Sequence, residues 1–554
     1  MPAAEPPPAR ARDWAVAAPH RLASEAGVQA FAAGGNAIDA AIAAAAVLAV
    51  VYPNQCTIGG DLIALVGLPD GTAHVLNASG RAPQGVDVDA VRSAHRRMPE
   101  SGALTVTVPG VVDGWHELAR RWGRRPVAEA TTRAAGLARD GVPVSPGLAR
   151  GLVREASRVA ADPGTAGIFL RDGAVLRPGD ALVQPRLADT LDLIGAGGPA
   201  AFYTGPVAAA LVKTLQQNGS AMSVADLAAH RSTLEEPLSA SFGGETYLSS
   251  GGNTQGTFFL AGMQTLDAVR QLLGEPLDPL GAHAALLAPV FVRLSVERDA
   301  RLGDAGSPSS AARLGEVLSA GFAQRLAGQV LAGSPGPVPR SPAAPTPSGD
   351  TVAIVASDGE GHWVCIIQSI FQGFGSGILD PATGVLLHSR GSAFTLAPGA
   401  AGELAGGRRP PHTLMPVLVR DAAGLLVGAH GTMGGRAQPQ IHTHLALQLA
   451  LGRTPVQAVG APRWVVGKGE TGTPDGWAVL IEGPVPAAAR TVLAGTGLAQ
   501  RDLPANDDLV GHAQVIRLVG SADQAATPTT PTTLPSLVAA SDPRADGAAL
   551  TGAG

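Results

Sequence analysis

Thr351 is the best candidate for a reactive side chain in this sequence. It follows a Pro-rich segment, residues 333–349, and opens a β-rich run, residues 351–356. A threonine hydroxyl is a weak nucleophile until a base takes its proton, and a threonine at the start of a chain can use its own α-amine as that base. The pKa of a free α-amine is about 7.7–8.0, close to a working pH. The pattern therefore makes Thr351 a candidate nucleophile, which would require a cut of the chain directly before it.

A predicted hairpin holds Thr351 in place. Residues 351–356 and 363–368 are rich in β-branched and apolar residues, and the turn sequence Asp358-Gly359-Glu360-Gly361 lies between them. The segment 333–349 consists mostly of Pro and small residues, so it cannot pack a core and we expect a mobile tether. A threonine that opens a strand after a loop is nevertheless common, and on this pattern alone a structural role is the alternative.

The rest of the chain combines predicted helices with short predicted strands. Helical periodicity runs through residues 23–51 with a break at Gly34-Gly35-Asn36, and again through most of residues 112–331. Short strands are predicted at residues 62–66, 73–77, 104–108, 416–419, 425–429 and 514–518, and a helix at 442–451. A low-complexity loop insert, residues 521–536, interrupts the C-terminal part.

Composition and charge exclude several classes of protein. Charged residues make up 15% and AVILMFWYC residues 45% of the 554 residues, so the chain can bury a large core. The net charge is −5 and no basic stripe stands out, which argues against a nucleic-acid partner. The most apolar stretch, residues 37–51, is too short to span a bilayer, and no signal peptide is recognisable. Cys56 and Cys365 fit buried, reduced thiols, and we expect a cytoplasmic protein without a membrane partner.

Residues 351–377, TVAIVASDGEGHWVCIIQSIFQGFGSG, resemble the nucleophile region of the γ-glutamyltransferase family. Further motifs of that family follow in the same order across nearly the whole chain. They include GGNAIDAA at 34–41, GGD at 59–61, SGRAP at 79–83, RPPHT at 409–413, GTMGG at 431–435, APRW at 461–464 and SDPRADG at 541–547. Each motif is weak singly, but in this order they make the resemblance to this family of N-terminal-nucleophile hydrolases strong.

The resemblance implies an α/β (α+β) fold, a four-layer αββα sandwich, made as one precursor and cut into two entwined subunits. The large subunit would comprise residues 1–350, including the tether, and the small subunit residues 351–554. The two subunits would form a heterodimer that acts on a small-molecule amide, with a dimer of heterodimers as a further option. The resemblance implies no cofactor and no metal.

The family's active-site residues carry over to several positions of this sequence. Thr351 would cut the chain and then attack the substrate, giving an acyl-enzyme. Gly434 and Gly435 match the glycine pair whose backbone N–H groups stabilise the oxyanion, with a plain turn as the alternative. Ser369 matches a hydroxyl residue that assists the nucleophile, with a polar strand-end residue as the alternative. Arg81 would bind a substrate carboxylate through its guanidinium, or else form a surface ion pair.

The sequence departs from the transpeptidase pattern at the substrate-binding positions. Arg390 enters a stretch where the family has an N-Q-M-D-D-F-like motif, Ala393 replaces the acid that holds a substrate α-amine, and His412-Thr413 replace paired serines. We therefore expect a pocket for a small anionic acyl group without a free α-amine, lined by Arg81, Arg390, His412 and Thr413. This combination resembles the acylase and oxamate-amidohydrolase branch of the family.

Two other functions remain as alternatives. A true γ-glutamyltransferase or glutathione hydrolase would need a rearranged pocket, whereas a non-catalytic, uncleaved paralogue would serve as a binding protein. The joint presence of Thr351, Gly434 and Gly435 argues against the paralogue. His442 and His444 could suggest a metal site, but their side chains point apart on a predicted helix and no further ligand lies nearby.

Overall fold

Two stacked β-sheets lie at the centre of the protein, and helices cover the outer face of each sheet. The computed structural model describes residues 13–304, 308–333, 350–467, 476–520 and 536–553, without the side chains of residues 308–312. The predicted tether and the predicted insert lie outside the described residues except for Gly333 and Ser536. The order helix, sheet, sheet, helix is the predicted four-layer αββα sandwich.

The strands are short and spread over the whole chain. In chain order the described strands are β1 (Asp13–Ala18), β2 (Asp61–Gly67), β3 (Ala73–Asn77), β4 (Val142–Pro143), β5 (Leu170–Arg171), β6 (Ala174–Val175), β7 (Ala181–Leu182), β8 (Thr233–Glu235), β9 (Leu238–Phe242), β10 (Glu245–Ser249), β11 (Asp350–Ser357), β12 (Trp363–Phe371), β13 (Val417–Arg420), β14 (Leu426–Thr432), β15 (Trp464–Gly467), β16 (Ala478–Glu482), β17 (Ala499–Leu503), β18 (Ala513–Val519), β19 (Ser536–Ser541) and β20 (Ala548–Ala553). Sheet 1 has the strand order β20-β1-β11-β12-β2-β3-β8, and sheet 2 the order β19-β18-β14-β13-β10-β9. Neighbouring strands in both sheets are antiparallel.

The helices form the two outer layers. In chain order the described helices are α1 (Arg21–Ala32), α2 (Ala37–Val51), α3 (Val88–Ala94), α4 (Val111–Trp122), α5 (Val127–Asp140), α6 (Pro146–Arg154), α7 (Ala156–Ala161), α8 (Pro163–Phe169), α9 (Pro185–Gly197), α10 (Pro199–Tyr203), α11 (Pro206–Gln217), α12 (Val224–Ala228), α13 (Gly256–Leu273), α14 (Ala284–Arg301), α15 (Pro308–Val317), α16 (Ala320–Leu331), α17 (Gln438–Ala450), α18 (Pro455–Gly460) and α19 (Ala487–Ala494). Helix α2 packs on sheet 1, and α13 and α17 pack on sheet 2. The sandwich therefore buries sheet faces on both sides.

The hairpin of β11 and β12 lies in the middle of sheet 1, and both of its faces are buried. Val352 and Ile354 belong to the core shared with the helices of sheet 1, whereas Ala353 and Cys365 face sheet 2. Because neither face meets water, the strands read as continuous apolar runs and not as an alternating pattern. The predicted hairpin is confirmed, and it places Thr351 at its buried beginning.

Helix α2 shows how the sequence sets a helix boundary. Asn36 caps it, because its side-chain oxygen accepts from the backbone N–H of Ile38 (3.0 Å) and Asp39 (3.2 Å). In return, Asp39 accepts from the backbone N–H of Asn36 at 2.9 Å, which completes a capping box. The predicted break at residues 34–36 is therefore confirmed, with α1 before it and α2 after it.

The packing of the two sheets brings the end of β14 toward the start of β11. Gly67 lies at the end of β2 farthest from Thr351, and a Cβ there would be 2.3 Å from Leu426 Cδ1 at the start of β14. Gly431 lies near the end of β14, and a Cβ there would be 2.8 Å from the Ala353 Cβ. Strand β14 therefore runs toward the end of the sandwich that holds Thr351.

One prediction of secondary structure is wrong and another is incomplete. Residues 104–108 form no strand: Ala103–Thr105 is a 3-10 helix that follows Gly102 at φ 87°, and Thr105 Oγ1 donates to the Gly102 carbonyl at 2.7 Å. The segment then bonds to a loop, because the backbone N–H of Val108 donates to the Arg81 carbonyl at 3.0 Å. The stretch predicted as mostly helical also holds the strands β4 to β10, which are too short to show a clear period.

Two findings bear on the class of protein. Among the described residues, no helix combines the length and the hydropathy needed to cross a bilayer. Cys56 and Cys365 are buried free thiols in the described structure, as predicted. Burial raises the pKa of Cys365 to about 12, so this thiol is not a nucleophile at neutral pH.

A buried ion network joins β15, β16 and the turn after β19. The guanidinium of Arg463 lies 2.6 Å from one carboxylate oxygen of Asp542, and that of Arg544 lies 2.9 Å from the other. Arg544 also pairs with Glu482, and all four side chains are at most 1% exposed. Loss of one charge would therefore leave its partner buried and unbalanced.

Replacing Asp542 by asparagine should destabilise the protein by about 3–5 kcal/mol, because two buried guanidinium groups lose the carboxylate they share. The control is Asp502→Asn, which breaks an ion pair with Arg490 whose Asp502 side is 76% exposed. We expect that change to cost less than about 1 kcal/mol. Urea unfolding measures both, and equal midpoints for the two variants would refute the role of the network.

Candidate active site

Thr351 and Ser369 face each other across the central hairpin of sheet 1. Thr351 is the second residue of β11 and pairs with Ser369 of β12 in the strand register. Thr351 Oγ1 lies 3.1 Å from Ser369 Oγ, and both residues are 1% exposed. The fold thus brings the predicted nucleophile into contact with the hydroxyl predicted to assist it.

Ser369 Oγ is shared among three groups around the peptide bond between Asp350 and Thr351. It donates to the carbonyl oxygen of Asp350 (2.8 Å) and accepts from the backbone N–H of Phe371 (2.8 Å). Because a hydroxyl has one proton, and this proton goes to the Asp350 carbonyl, the Thr351 hydroxyl donates to Ser369. Ser369 therefore polarises the carbonyl that Thr351 could attack and also orients the attacking oxygen.

The strand ladder is irregular at this peptide bond. Asp350 pairs with Phe371 while Thr351 pairs with Ser369, so Ile370 is an extra residue in β12 and forms a β-bulge. Phe371 has a φ of 78°, a left-handed conformation that costs a non-glycine residue about 1 kcal/mol or more. The bulge lets the backbone N–H of Phe371 reach back to Ser369 Oγ, which holds that hydroxyl in place.

Arg390 is a buried cation beside the hairpin. Its guanidinium lies 3.8 Å from the centre of the Phe371 ring and donates through Nη2 to Thr413 Oγ1 at 3.1 Å. Arg390 is 1% exposed, and its Nε and Nη1 have no hydrogen-bond partner among the described residues. Burial lowers the pKa of Arg390 to about 9, so the group is charged at neutral pH. Two unused donors on a buried cation suit a carboxylate ligand.

His412 belongs to a buried cluster with Asp61 and His388. Asp61 Oδ2 lies 3.1 Å from His412 Nε2 and 3.3 Å from His388 Nδ1. Burial alone would raise the pKa of Asp61, but the two histidines outweigh it and hold that pKa far below its usual range. Burial and the nearby Arg390 lower the pKa of His412 to about 4, so His412 is neutral at neutral pH. His412 therefore binds Asp61, and its neighbour Thr413 contacts Arg390.

Gly434 and Gly435 form a tight turn between β14 and α17, at the end of the sandwich that holds Thr351. Their φ values are 147° and 52°, and a Cβ on Gly434 would lie 2.3 Å from Ile441 Cδ1. Neither backbone N–H has a hydrogen-bond acceptor among the described residues. Both glycines stand at the beginning of helical structure, where free N–H groups and the helix dipole favour an anion.

Gln255 connects the glycine turn to the pocket of Arg390. Its Nε2 donates to the carbonyl oxygens of Thr413 and Gly435, both at 2.7 Å. A continuous chain of contacts therefore connects Thr351 to the glycine turn. It passes through Ser369, Phe371, Arg390, Thr413 and Gln255. The sequence reasoning missed Gln255, because it follows a Gly-rich loop and no periodicity or motif marks it.

Asp61 and His388 also had no predicted role. Asp61 opens the fully buried strand β2, and a charged residue at such a position signals a buried partner, which could have pointed to it. His388 lies in the stretch that was compared with the family motif, two residues before Arg390. Its partners Asp61 and Thr107 are distant in sequence, so no local pattern reveals them.

Arg81 forms the surface ion pair that is the alternative to carboxylate binding. Its side chain is 50% exposed, lies 3.4 Å from Asp304 and donates to the Gly407 carbonyl at 2.9 Å. The adjacent Gly80 donates its backbone N–H to Asp61 at 3.0 Å, which links this loop to the buried cluster. A role of Arg81 in binding substrate stays a prediction.

The described residues contain no group of three or more His, Cys, Asp or Glu side chains placed to hold a metal ion. His442 and His444 lie buried on α17, where His442 packs on Phe259 (5.4 Å between ring centres) and His444 on Trp464 (4.9 Å). Burial lowers the pKa of both histidines to about 3, so both are neutral residues of the core.

This arrangement can carry out nucleophilic acyl transfer. It combines two hydroxyl groups in contact, a carbonyl within reach of both, backbone N–H groups at the beginning of a helix and a buried cation. The profile of the gamma-glutamyltranspeptidase family matches residues 23–552. The chain belongs to this family.

Similar proteins match this gamma-glutamyltranspeptidase family member along nearly its whole length. The glutathione hydrolase-like YwrD proenzyme of Bacillus subtilis is 34% identical over 543 residues, 97% of this chain and 98% of the relative. The oxamate amidohydrolase proenzyme of Klebsiella pneumoniae is 32% identical over 508 residues, 90% of this chain and 93% of the relative. The solved structure of a cephalosporin acylase from Bacillus halodurans has a TM-score of 0.83 at 28% identity and covers 99% of this chain and 98% of the other.

These matches confirm the predicted family and fold. The relatives are hydrolases and acylases by name, so this chain is an enzyme of the gamma-glutamyltranspeptidase family. The likeness to the cephalosporin acylase confirms the mixed α and β sandwich of the N-terminal-nucleophile type.

Replacing Ser369 by alanine should slow the predicted cut between Asp350 and Thr351 by about 10²–10³-fold, because the carbonyl loses the donor that stabilises its developing charge. The matched control is Ser357→Ala, which changes a buried serine at the other end of β11 whose hydroxyl has no partner among the described residues. A denaturing gel gives both rates from the fraction of cut chain over time. Similar rates for the two variants would mean that Ser369 plays no part.

Proposed function

We propose that this protein is an N-terminal-nucleophile amidohydrolase that first cuts its own chain between Asp350 and Thr351. Thr351 then attacks the amide of a substrate, and water resolves the acyl-threonine. The observation that carries the proposal is the position of Ser369 Oγ, which contacts both the Thr351 hydroxyl and the Asp350 carbonyl. The word proenzyme in the names of two relatives supports a chain that is made uncut.

The first reaction is an acyl shift at one peptide bond. Thr351 Oγ1 bonds to the carbonyl carbon of Asp350 while its proton passes to Ser369 Oγ and the proton of Ser369 passes to the carbonyl oxygen. The carbon–nitrogen bond then breaks, and the proton on the oxygen returns through Ser369 to the nitrogen, which leaves an ester and a free amine. Water hydrolyses the ester, giving a carboxylate at Asp350 and restoring the hydroxyl of Thr351.

The hydroxyl of Thr351 then attacks the substrate. The free amine of Thr351, with a pKa of about 7.7–8.0, takes the hydroxyl proton as Oγ1 attacks the amide carbonyl. The N–H groups of Gly434 and Gly435 stabilise the oxyanion, an effect of about 2.7–4 kcal/mol per donor in comparable enzymes. The substrate amine leaves with that proton, and a water deprotonated by the Thr351 amine then releases the acid.

The preferred acyl group is small and carries a carboxylate. Arg390 supports this, because two of its donors are unused among the described residues and it lies on Phe371, whose backbone N–H binds Ser369. A buried cation attracts an anion strongly, since little water is present to screen the charges. Oxamate, which the name of one relative contains, is an amide of this kind, with its carboxylate next to the amide carbonyl.

A glutathione hydrolase is the second candidate, and the name of the 34% identical relative favours it. A γ-glutamyl substrate carries an α-amine that an acidic side chain would hold. At the position expected for that acid, the chain has Ala393 in the 3-10 helix Arg390–Ala393. We therefore rank an anionic acyl group without an amine first. An uncleaved binding protein has no need for the contact between Thr351 and Ser369, so we rank it last.

The two fragments stay together after the cut. In sheet 1, β11 and β12 of the C-terminal part lie between β1 and β2 of the N-terminal part, and in sheet 2, β13 pairs with β10. Because both sheets contain strands of both fragments, separation would break many strand hydrogen bonds. We therefore infer a heterodimer of residues 1–350 and 351–554. A dimer of heterodimers and a cytoplasmic location stay predictions.

The mass of the denatured protein tests self-cleavage. The wild-type protein should give two fragments, one ending at Asp350 and one beginning at Thr351, whereas Thr351→Ala should give one uncut chain because it lacks the attacking hydroxyl. Thr351→Ser keeps a hydroxyl and should still be cut, which controls for a general effect of substitution. A Thr351→Ala chain cut at the same bond would show that another group is the nucleophile.

Replacing Arg390 by glutamine should lower kcat/KM for oxamate by about 10- to 150-fold, which corresponds to a charged hydrogen bond of ~1.5–3 kcal/mol. Arg81→Gln is the control, because the Arg81 guanidinium is half-exposed and pairs with Asp304, and we expect a change below about fivefold. Release of acid from oxamate and from a γ-glutamyl anilide measures both variants. If the anilide is the better substrate, or if Arg81 matters more than Arg390, the assigned pocket is wrong.

A further inference from the structure

Arg154 and Asp350 form an ion pair directly beside the peptide bond that is cut. Arg154 is the last residue of α6, and its Nη2 lies 3.4 Å from Asp350 Oδ1. Asp350 is 1% exposed, so its carboxylate is almost completely removed from water. Burying such a charge is costly unless a cation accompanies it. The nearby carboxylate of Asp350 is also the main cause of a raised pKa of Arg154.

The surroundings of this carboxylate leave it little freedom. Gly373 has no side chain, and a Cβ there would lie 2.8 Å from Glu155 Cγ and 3.0 Å from Asp350 Oδ2. Glu155 lies 3.3 Å from Arg158, so a second cation balances its charge. Arg154 is itself held from the other side, 3.5 Å from Asp508. The Asp350 side chain therefore lies between the guanidinium of Arg154 and the backbone of Gly373.

Asp350 is contacted at both its carboxylate and its carbonyl oxygen. Asp350 is the first residue of β11 and pairs with Phe371, but the strand register shifts between Asp350 and Thr351, so the ladder is irregular at this carbonyl. Arg154 contacts the carboxylate of this residue, and Ser369 Oγ donates to its carbonyl oxygen at 2.8 Å. A reacting carbon held at two points keeps the geometry for attack, and such fixation accelerates reactions strongly.

We propose that Arg154 is a positioning residue for self-cleavage, because its ion pair with Asp350 holds the carbonyl carbon toward the Thr351 hydroxyl. It acts through Asp350 and touches no substrate, and this inference rests on the proposed cut at that bond. Hydrolysis of the ester makes Asp350 the last residue of its fragment and adds a second carboxylate to it. Arg154 thus serves the chain once, before turnover begins, and turnover by the mature enzyme does not need it.

The test follows the cutting of freshly synthesised full-length chains on a denaturing gel. Arg154→Gln should be cut at least ~10-fold more slowly than the wild type, because the carboxylate of Asp350 loses the cation that holds it. Arg154→Lys should fall between them, since it restores a cation with a different donor geometry. The matched control is Arg150→Gln on the same helix, where Arg150 donates to the Arg544 carbonyl at 3.3 Å, and it should be cut at the wild-type rate.

A double-mutant cycle with Asp350→Asn separates positioning from a general loss of structure. Each single variant should slow the cut, and the double variant should be no slower than the slower single one, because both remove the same interaction. After long incubation, the cut Arg154→Gln enzyme should have the wild-type kcat/KM for its amide substrate. Three results would overturn the proposal. Arg154→Gln could be cut at the wild-type rate, or the double variant could be slowed by the product of the two single factors. The third result is a lowered kcat/KM of the cut Arg154→Gln enzyme.

The wild-type chain in the same experiment separates this proposal from the proposed function. If the wild type is never cut after Asp350, the proposed function fails, and the role of Arg154 fails with it. If the wild type is cut and the Arg154 and Asp350 variants are cut as fast as the wild type, the proposed function stands and only the role of Arg154 is refuted. Should Arg154→Gln not fold, Arg154→Lys and Asp350→Asn still decide between these outcomes.

Discussion

The hydroxyl of Ser369 connects the attacking and the attacked group at the start of β11. It lies 3.1 Å from Thr351 Oγ1 and 2.8 Å from the carbonyl oxygen of Asp350. With its single proton on the carbonyl, it accepts from the threonine, so one group orients both partners of the reaction. The β-bulge, the left-handed Phe371 and the backbone N–H that Phe371 donates all serve to keep this hydroxyl where it is.

The rest of the sandwich makes this local arrangement possible. Phe371 is strained and Arg390 is a charge removed from water, so each of them destabilises the folded chain by itself. The apolar layers on both faces of sheet 1 offset these costs. Strain and buried charge thus meet at the start of β11 and its neighbours, while the remainder of the hairpin is mostly apolar.

Local patterns in the sequence predicted the parts of the site that depend on neighbouring residues. The tether followed by an apolar run predicted the hairpin and Thr351 at its start, and the break at Gly34-Gly35-Asn36 marked the boundary between α1 and α2. Gly434 and Gly435 needed the resemblance to the family, because a pair of glycines alone fits any turn. Residues 104–108 alternate like a strand, yet their hydrogen bonds go to loops, which no pattern in the segment reveals.

Contacts between distant segments were beyond such reasoning. The cluster of Asp61, His388 and His412 joins three segments that are far apart in sequence, and it gives His412 a partner other than a substrate. Gln255 reaches two carbonyl groups in the C-terminal part of the chain. The ion pair of Arg81 with Asp304 likewise depends on how two remote loops meet, so its motif could not distinguish it from a substrate-binding arginine.

The most direct test of the central claim is to identify the new chain ends in active enzyme that was made in water enriched in oxygen-18. The larger fragment should end at Asp350 and carry one oxygen-18 atom in its new carboxylate, because water hydrolyses the ester. The smaller fragment should begin Thr351-Val352-Ala353. An enzyme that is active as an unbroken 554-residue chain, or that is cut at a different bond, would contradict the assignment of Thr351 as the nucleophile.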